Sequence, residues 1–496
     1  MIGAGMGAMA AAARLAVAGH RVAVYERTET YGGAVRRFER DGFAFDTGPG
    51  LLTLPAVYRD LFIKTGKEPL ESVVDLVQVD PSSRHVFTDG TEVSLPNASR
   101  AGVVTALDEA LGAGAGARWG DFLIRAREAW DRTRRPLLEE PLWPNWPVLA
   151  EREPYPAVPH KRLLRTRRAG TLAEIGAWEL RDPRLAALLD GYALAYGVDP
   201  GTAPASAAVL PYMEHAFGTW YVRGGIRELA RAVYERCVQR KVEFHFGAEV
   251  SGVLEKDGRA AGVELADGTV VEADSVVGTG PWRLRGLVPG REVYGAKDVP
   301  ADAEDLHPGR VVVCLALRGA READAVHRTV IYGTDPEGEL DLLAHGETPE
   351  PTVRIDRPDD PALRPDEEHE SVVLTATVPC GLRYDWTVPK AADTFADRMV
   401  AAAERALPGL RERMLWREVR TPVHSEQETG AEGGAVPPPS LAGGEGTLHP
   451  SNSTAVPGLF AVGGWSHPGG GLAHAGMSGA LVAGLIVEGS EFRGSQ

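Results

Sequence analysis

The stretch that decides the fold is GAGMGA, at residues 3–8, close to the start of the chain. It has the GxGxxA pattern of a turn that leads from a buried strand into a helix and holds a dinucleotide pyrophosphate. In such a turn Gly3 permits the tight bend, Gly5 lets the phosphates approach the backbone, and Ala8 is small enough for helix and strand to pack. The alanine-rich residues 10–18 continue as that helix, whose positive N-terminal end faces the phosphates.

A second strand and an acid follow at the spacing that such a site requires. Residues 21–25 read RVAVY and lead to Glu26, about 20 residues after the glycines, where a ribose hydroxyl is usually held. Glu26 and the adjacent Arg27 are therefore candidate cofactor contacts. The rival interpretation, a tight turn in an alanine-rich helical hairpin, does not account for Glu26. Because a parallel strand needs about five residues before Gly3, either the central strand is truncated or the start codon lies upstream, and we favour the second.

Further motifs occur in order along the chain. They are YGG at residues 31–33, GFAFDTGPGLLTLP at 42–55, GTWYVRGG at 218–225, GLFAVGGWSHPGGG at 458–471 and MSG at 477–479. Together with the glycine turn and the acid, they resemble the phytoene desaturase (carotenoid dehydrogenase) family of FAD-dependent oxidoreductases. The matching segments span nearly the whole chain, and the resemblance is specific for the superfamily rather than for a substrate.

The resemblance implies a set of contacts with the cofactor. The implied FAD contacts are Gly3, Gly5, Ala8, Glu26, Arg27, Gly32, Gly33, Val250, Gly278, Gly463, Gly464, Gly470, Gly471 and Leu472. A helix is expected to start near Leu472, where its free N–H groups can stabilise the negative charge of the reduced flavin. Ala34 departs from related flavoproteins, in which a basic residue often follows the Gly-Gly pair. We therefore expect Arg36 or Arg37 to take over that phosphate contact.

Histidine residues are the candidates for catalysis. His467 lies just before the glycine turn at residues 469–471, where it can accept a proton or orient substrate over the flavin. The alternative is that His467 holds a loop by hydrogen bonding, and the sequence leaves both open. His474 and His424 are weaker candidates, and His474 stands where the family often has an apolar residue or proline.

The order of strand-like and helix-like segments predicts an α/β fold. We expect a discontinuous Rossmann-like FAD-binding domain, of the type with two dinucleotide-binding domains, and an interleaved α+β substrate domain. The FAD-binding domain is assigned to residues 1–83, 215–282 and 446–496, and the substrate-binding domain to residues 84–214 and 283–445. Two Asp-Gly turns predict a β-meander within residues 250–272, and residues 311–317 and 371–378 are further strand candidates.

Bulk composition narrows the function. Of the 496 residues, 44% are hydrophobic and 25% charged, as in ordinary soluble globular proteins. A net charge of −16 argues against nucleic-acid binding, which needs a basic face. Three widely spaced cysteines without a CxxC pair predict neither a disulfide framework nor a metal site. With no signal peptide and no apolar run long enough to cross a bilayer, we expect a cytoplasmic protein.

One segment differs from the rest of this acidic chain. Residues 136–168 are rich in proline, carry Trp143 and Trp146, and end in KRLLRTRR at 161–168. One interpretation is a surface loop followed by a solvated basic helix. The other is a membrane-facing lid, with aromatic side chains at the interface and basic side chains on anionic headgroups. The second interpretation adds peripheral membrane contact to the expected partners.

The residues and the resemblance together favour an FAD-dependent oxidoreductase that forms C=C bonds. Hydride would pass from an allylic C–H of an apolar polyene or isoprenoid substrate to the flavin, with loss of a neighbouring proton. Gly278-Thr279-Gly280 follows a strand but runs into Pro281 rather than a helix, so we expect one dinucleotide and no separate NAD(P)H domain. The electrons would then pass to oxygen, a quinone or a diffusing carrier.

Three other functions remain open at this stage. A flavin-dependent polyene isomerase or saturase would use the same scaffold without net oxidation of its substrate. A flavin amine oxidase typically places paired aromatic residues and a lysine by the ring, and no such set stands near residues 458–479. A non-catalytic flavoprotein that serves as a partner subunit would bind the cofactor without turnover.

Overall fold

The computed structural model describes residues 1–142, 146–159, 165–294, 307–347, 349–443 and 448–494. The helices are α1 Met6–Val17, α2 Ala56–Gly66, α3 Arg100–Leu111, α4 Ala115–Arg134, α5 Trp146–Glu151, α6 Leu172–Ile175, α7 Pro183–Ala195, α8 Val209–Phe217, α9 Arg227–Gln239, α10 Pro281–Leu287, α11 Glu339–Ala344, α12 Pro389–Ala403, α13 Leu410–Arg413, α14 Pro422–Thr429 and α15 Leu472–Glu488. The strands are β1 Ala23–Glu26, β2 Arg37–Arg40, β3 Phe43–Asp46, β4 Leu76–Gln78, β5 Ser83–Val86, β6 Glu92–Leu95, β7 Val158–Pro159, β8 Thr166–Arg167, β9 Trp220–Val222, β10 Glu243–Phe246, β11 Val250–Lys256, β12 Arg259–Leu265, β13 Val270–Glu272, β14 Val276–Gly278, β15 Gly309–Arg318, β16 Arg328–Ile331, β17 Val353–Asp356, β18 His369–Val378, β19 Met414–Arg420 and β20 Leu459–Ala461.

Parallel strands carry the dinucleotide turn. β1 pairs with β10, and β14 pairs with β20, both in parallel. The first residues of the chain join these pairs, because Ile2 N donates to Val277 O at 2.7 Å and Tyr25 N donates to Met1 O at 2.9 Å. The order is therefore β10, β1, residues 1–2, β14 and β20. These two residues place Gly3 at the carboxyl end of the parallel strands, where such sheets bind ligands.

Helices α1 and α15 meet at backbone contact on this sheet. A Cβ on Gly479 would lie 2.5 Å from Gly7 O, and a Cβ on Gly7 would lie 2.9 Å from Ala475 O. Real Cβ atoms do not approach so closely, so both positions require glycine. The crossing brings the N-terminus of α15 next to the N-terminus of α1, and the two ends of the sequence thereby form one site.

A second sheet has seven strands, in the order β19-β15-β18-β17-β16-β5-β6. Its neighbours are antiparallel except β16 and β5, which are parallel. Alternate residues along each strand face opposite sides. On one side Val313 and Leu374 pack with Met399 of α12 in an apolar core. On the other side, Cys314 and Val373 pack with Phe45 in one part. Another part, called the polar face below, carries Arg354 across from Thr375.

A helical layer completes the molecule beside the polar face. Trp119 of α4, Leu189 of α7 and Leu210 of α8 are fully buried in one apolar cluster. The C-terminal end of α7 rests on the seven-stranded sheet, since Thr377 Oγ1 donates to Leu194 O at 2.8 Å. This contact places the carbonyl groups that end α7 next to the polar face.

Two details of the sequence interpretation need correction. A helix, α10, does begin at Pro281, because proline suits the first helical position, where its missing N–H costs nothing. The basic segment is not helical at residues 166–167, which form β8 and pair with β7. Arg167 lies over the Trp178 ring, with its guanidinium carbon 3.9 Å from the ring centre. Trp143, residues 160–164 and the side chain of Trp146 lie outside the described residues.

Other expectations are met. The predicted β-meander is confirmed, because β11, β12 and β13 form a three-stranded antiparallel sheet. The strands predicted at residues 311–317 and 371–378 lie within β15 and β18, which begin two residues earlier in each case. Within the described ranges, no helix combines the length and apolar character needed to span a bilayer.

Candidate active site

A cavity of about 360 Å³ connects the glycine turn with the polar face of the seven-stranded sheet. Segments that are far apart in the chain contribute to its walls: parts of residues 2–8, 25–27, 32–35, 47–53, 195–196, 279–283, 425–437, 462–465 and 471–475. Because both ends of the chain and the middle of it meet here, the cavity is the natural candidate for the functional site.

The glycine turn leaves its backbone open to the cavity. Gly3 has a left-handed φ of 90°, whereas Gly5 is extended, with φ −71° and ψ 166°, at the N-cap of α1. A Cβ on Gly5 would meet nothing closer than the Cα of Gly33, at 4.0 Å. Gly32 N donates to Ala4 O at 2.8 Å, which holds the YGG segment beside the turn. The two segments form a wall of bare backbone that an anionic group can approach.

Glu26 ends β1 with a buried carboxylate. Its Oε2 accepts from Ala4 N at 2.8 Å, and its Oε1 accepts from the N and Oγ1 of Thr28, both at 2.8 Å. These bonds fix the glycine turn to the end of β1. A carboxylate can accept about four hydrogen bonds, so Glu26, which also lines the cavity, retains capacity for a hydroxyl of a ligand.

The C-terminal motif builds another wall around a buried polar network. Gly463 N donates to Ser478 Oγ at 3.0 Å. Asn452 Nδ2 donates to the same Oγ at 3.1 Å and to His467 O at 2.8 Å. α15 begins directly after Gly471, which has a φ of 105°. The first N–H groups of α15 have no acceptor within the helix, and residues 471–475 line the cavity.

Most of the predicted cofactor contacts lie on this cavity. They are Gly3, Gly5, Ala8, Glu26, Arg27, Gly32, Gly33, Val250, Gly463, Gly464, Gly471 and Leu472. Gly278 and Gly470 do not line it. A Cβ on Gly278 would lie 2.6 Å from Leu284 Cδ2, and Gly470 N donates to Pro438 O at 2.7 Å. Both glycines therefore permit close packing behind the cavity wall.

His467 also lies behind the wall and does not line the cavity. The ring is fully buried, with Nε2 2.9 Å from Glu140 O. Burial lowers the pKa of His467 to about 4, so the ring is neutral at pH 7 and its Nε2–H is assigned as the donor to that carbonyl. The bond to Glu140 O is the kind of contact that the loop-holding role requires, and the catalytic role stays a prediction.

His474 and His424 occupy different environments. His474 lines the cavity from the first turn of α15. Burial lowers the pKa of His474 to about 4, so its imidazole is neutral at pH 7. His424 instead caps α14, where its Nδ1 accepts from Thr421 N at 3.1 Å. His474 is therefore the histidine that a bound ligand can meet.

The basic residues after the YGG segment point away from the cavity. Arg36 Nε donates to Gly33 O at 2.8 Å and its Nη2 donates to Glu428 O at 3.1 Å. Arg37 donates to Gly224 O. Neither lines the cavity, whereas Arg27 does. Arg36 and Arg37 thus make structural contacts, and the basic side chains that line the cavity near the glycine turn are Arg27 and Arg283.

Charged side chains line the cavity where it reaches the seven-stranded sheet, and the sequence interpretation missed them. They are Arg310 on β15, Arg328 on β16, Arg354 on β17 and Glu214 on α8. The strand prediction at residues 311–317 stopped one residue short of Arg310. The alternation within β15 puts Arg310 on the same face as Val312, which also lines the cavity. The orientation of Arg310 could therefore have been predicted from the strand alternation if the face towards the cavity had been known.

Three ion pairs organise this charged end. Arg328 Nη1 lies 3.2 Å from Glu214 Oε2, and Arg328 Nε lies 3.7 Å from Asp356 Oδ1. Arg354 Nε lies 2.9 Å from Asp356 Oδ2. Between the charged end and α15 the lining is mainly apolar, and includes Leu51, Ala195, Val312, Val436 and Pro437.

Comparisons with known proteins agree with this geometry. The chain matches the family model described as flavin containing amine oxidoreductase over residues 9–487. It is 28% identical to 4,4'-diapolycopene oxygenase of Methylomonas sp, with 98% of this chain and 97% of the relative covered. It is 31% identical to hydroxyneurosporene desaturase of Cereibacter sphaeroides, with 98% and 97% covered. The solved structure of an oxidoreductase from Methanosarcina mazei has the same fold, with a TM-score of 0.65, 16% identity, and 97% and 98% of the chains covered.

The residues around the glycine turn fit FAD. The space in front of Gly5 would be narrowed by any Cβ at that position, as expected where a pyrophosphate meets the backbone. Glu26 has acceptor capacity left for a ribose hydroxyl. The N-terminus of α15 lies next to the glycine turn, because the backbones of Gly7 and Ala475 are in contact. One elongated cofactor can therefore reach both.

Proposed function

This chain belongs to the family of flavin-containing amine oxidoreductases and is an FAD-dependent oxidoreductase, and we propose that it forms C=C bonds in an apolar polyene or isoprenoid substrate. Relatives that cover nearly the whole chain support the reaction type. They are named hydroxyneurosporene desaturase and zeta-carotene-forming phytoene desaturase. A desaturase removes a hydride and a neighbouring proton, and both must leave from carbons held close to the cofactor.

The observation that carries this proposal is the apolar lining between α15 and the charged end of the cavity. Leu51, Val312, Val436 and Pro437 present hydrocarbon surface there. Burying an apolar chain against such a wall contributes roughly 25 cal/mol per Å². A protonated amine would instead approach a cavity end where arginines outnumber the carboxylates of Glu214 and Asp356. The lining therefore favours a polyene over the amine substrate of the rival function.

Bound FAD supplies the hydride acceptor. We place its pyrophosphate at Gly3 and Gly5 and its ribose at Glu26, because these residues offer bare backbone and a free acceptor. The N–H groups that begin α15 would favour the negative charge that accompanies reduction. His474 is neutral at pH 7 and lines the cavity, so we propose that it accepts the neighbouring proton.

Peripheral contact with an anionic membrane is part of the proposal. Arg165 and Arg168 are exposed beside Arg167, which lies over Trp178. Each basic group close to an anionic surface contributes roughly 1 kcal/mol of attraction. An apolar substrate could then pass from the bilayer to the cavity without crossing water.

Anaerobic reduction tests the reaction. Oxidised holoenzyme is mixed with phytoene or zeta-carotene in liposomes and, separately, with putrescine. The expected result is loss of oxidised-flavin absorbance with the polyenes only, together with a product that has one more double bond by chromatography and absorbance. Reduction by putrescine alone would contradict the proposal.

The same experiment separates the remaining functions. An isomerase would change the polyene without net flavin reduction, and a saturase would act only after the flavin had been reduced. A non-catalytic partner subunit would give neither product. Reoxidation of the reduced enzyme by oxygen, by a quinone or by a soluble carrier then identifies the electron acceptor, which we propose to be one of these three.

A further inference from the structure

Arg310 lines the cavity without an acidic partner. Its Nη2 donates to Ala195 O at 2.8 Å, and within the described parts of the chain no carboxylate lies within 4.0 Å of its guanidinium nitrogens. The side chain keeps partial exposure because it borders the cavity. Burial lowers the pKa of Arg310 to about 10, with a further contribution from Arg354, so the guanidinium is charged at pH 7.

The neighbouring arginines are in a different situation. Arg328 is paired with Glu214 and Asp356, and Arg354 is paired with Asp356. At this end of the cavity, three guanidinium groups therefore face two carboxylates. The local excess is one positive charge, and the pairing assigns it to Arg310.

An unpaired charge in an enclosed site is costly unless something compensates it. A guanidinium has five N–H donors, and the carbonyl of Ala195 at the end of α7 accepts from one of them. Alternation along β15 places the Arg310 side chain on the same face as Val312, towards the cavity. The remaining donors are thus available to a ligand that lies along the apolar lining.

We propose that Arg310 binds a carboxylate at one end of the polyene substrate, so that the enzyme binds polyene chains with a terminal acid more tightly than uncharged ones. This inference rests on the proposed function and names the substrate class more closely. A carboxylate matches the planar fork of a guanidinium and can accept two parallel N–H bonds. A single negative charge also matches the single excess positive charge at this end of the cavity, which a multiply charged phosphate would exceed.

The test is a binding measurement on oxidised holoenzyme. All-trans-retinoic acid is a polyene with a terminal carboxylate, and methyl retinoate has the same chain with a neutral end. Affinities are measured at pH 7.5 from the quenching of tryptophan fluorescence or from the perturbation of the flavin spectrum. The wild-type protein is expected to bind the acid at least tenfold more tightly than the ester, because charge-assisted hydrogen bonds are the strong ones.

Three variants and one control locate the effect. Arg310→Met should remove the preference for the acid, and Arg310→Lys should restore part of it because the charge returns. Arg310→Gln keeps a donor for Ala195 O and serves if the methionine variant does not fold. The matched control is Arg318→Met, at the other end of β15, where the side chain is exposed and donates to Glu412 O. The control should bind both probes as the wild type does.

Two results would overturn the proposal. One is equal affinity of the wild type for acid and ester. The other is a preference for the acid over the ester that survives in both Arg310→Met and Arg310→Gln. In that case, altered flavin retention or an altered flavin spectrum in these variants would indicate that Arg310 contacts the flavin instead of the substrate. Because the assay measures binding without turnover, its outcome is independent of whether any polyene reduces the flavin, which tests the proposed function separately.

Discussion

Replacement of Gly5 by valine is expected to abolish FAD retention while leaving the fold intact. Gly5 has φ −71° and ψ 166°, a β-region conformation that β-branched residues adopt without strain. Its Cβ would have no neighbour closer than 4.0 Å, so the protein leaves room for the first atom of the new side chain. The two methyl groups would extend into the cavity, into the space that we assign to the pyrophosphate.

The size of the effect follows from the hydrogen bonds that would be lost. Bonds from backbone N–H groups to an anionic phosphate are each worth roughly 1.5–3 kcal/mol. Displacement of the phosphate from two such donors would raise the Kd for FAD by a factor of about 10² to 10⁴. The thermal stability of the apoprotein should change little, because the substitution removes no packing contact.

Gly3→Val is the informative comparison. Gly3 has a φ of 90°, so any side chain there strains the backbone by roughly 1–3 kcal/mol, and this variant should melt lower even without FAD. The assay combines the flavin-to-protein ratio after purification, titration of apoprotein with FAD, and melting of both apoproteins. A Gly5→Val protein that stays yellow with full occupancy, or that melts as low as Gly3→Val, would refute the reasoning.

Three further outcomes are expected. Gly7→Ala should lower the free energy of unfolding by about 1–3 kcal/mol, and with it Tm, because its Cβ would lie 2.9 Å from Ala475 O. An unchanged melting curve would contradict the close helix crossing. The free energy of unfolding should fall as pH drops from 6.5 towards 4, because burial lowers the pKa of His467 to about 4. Over this range the His467 imidazole is protonated in the unfolded chain before it is protonated in the folded one, which removes ~3 kcal/mol of stability. Denaturant titrations at several pH values should show a shallower fall in His467→Gln. Low-salt co-sedimentation with anionic liposomes should be lost in the double variant Arg165→Glu, Arg168→Glu and weakened by salt in the wild type; wild-type protein that stays in the supernatant at low salt would count against membrane contact.

The glycine turn and its acid could be found from the sequence because their requirements are local. Gly3 needs a left-handed φ, Gly5 needs bare backbone, and Glu26 needs the end of β1, and all are set within one strand–helix–strand unit. The β-meander was predictable for the same reason, since each Asp-Gly turn joins strands that are neighbours in sequence. Gly278 and Gly470 matched the motifs equally well, but their glycine requirement comes from packing behind the wall.

The position of His467 was decided by tertiary structure. Its neighbours in sequence belong to the cofactor motif, yet its ring contacts Glu140, 327 residues earlier in the chain. No local pattern indicates whether a side chain next to a binding loop points into the cavity or away from it. That direction depends on which distant segment fills the space behind the loop.

The charged end of the cavity is the clearest case of a feature that only the tertiary structure decides. Glu214 meets Arg328 across 114 residues of sequence, and Arg310 meets the end of α7 across 115 residues. The sequence determines the period-two alternation of β15, and with it which side chains share a face. It does not determine which face meets α12 and which meets the cavity, because strand alternation is the same in both cases and the choice is made by the elements that pack on each side.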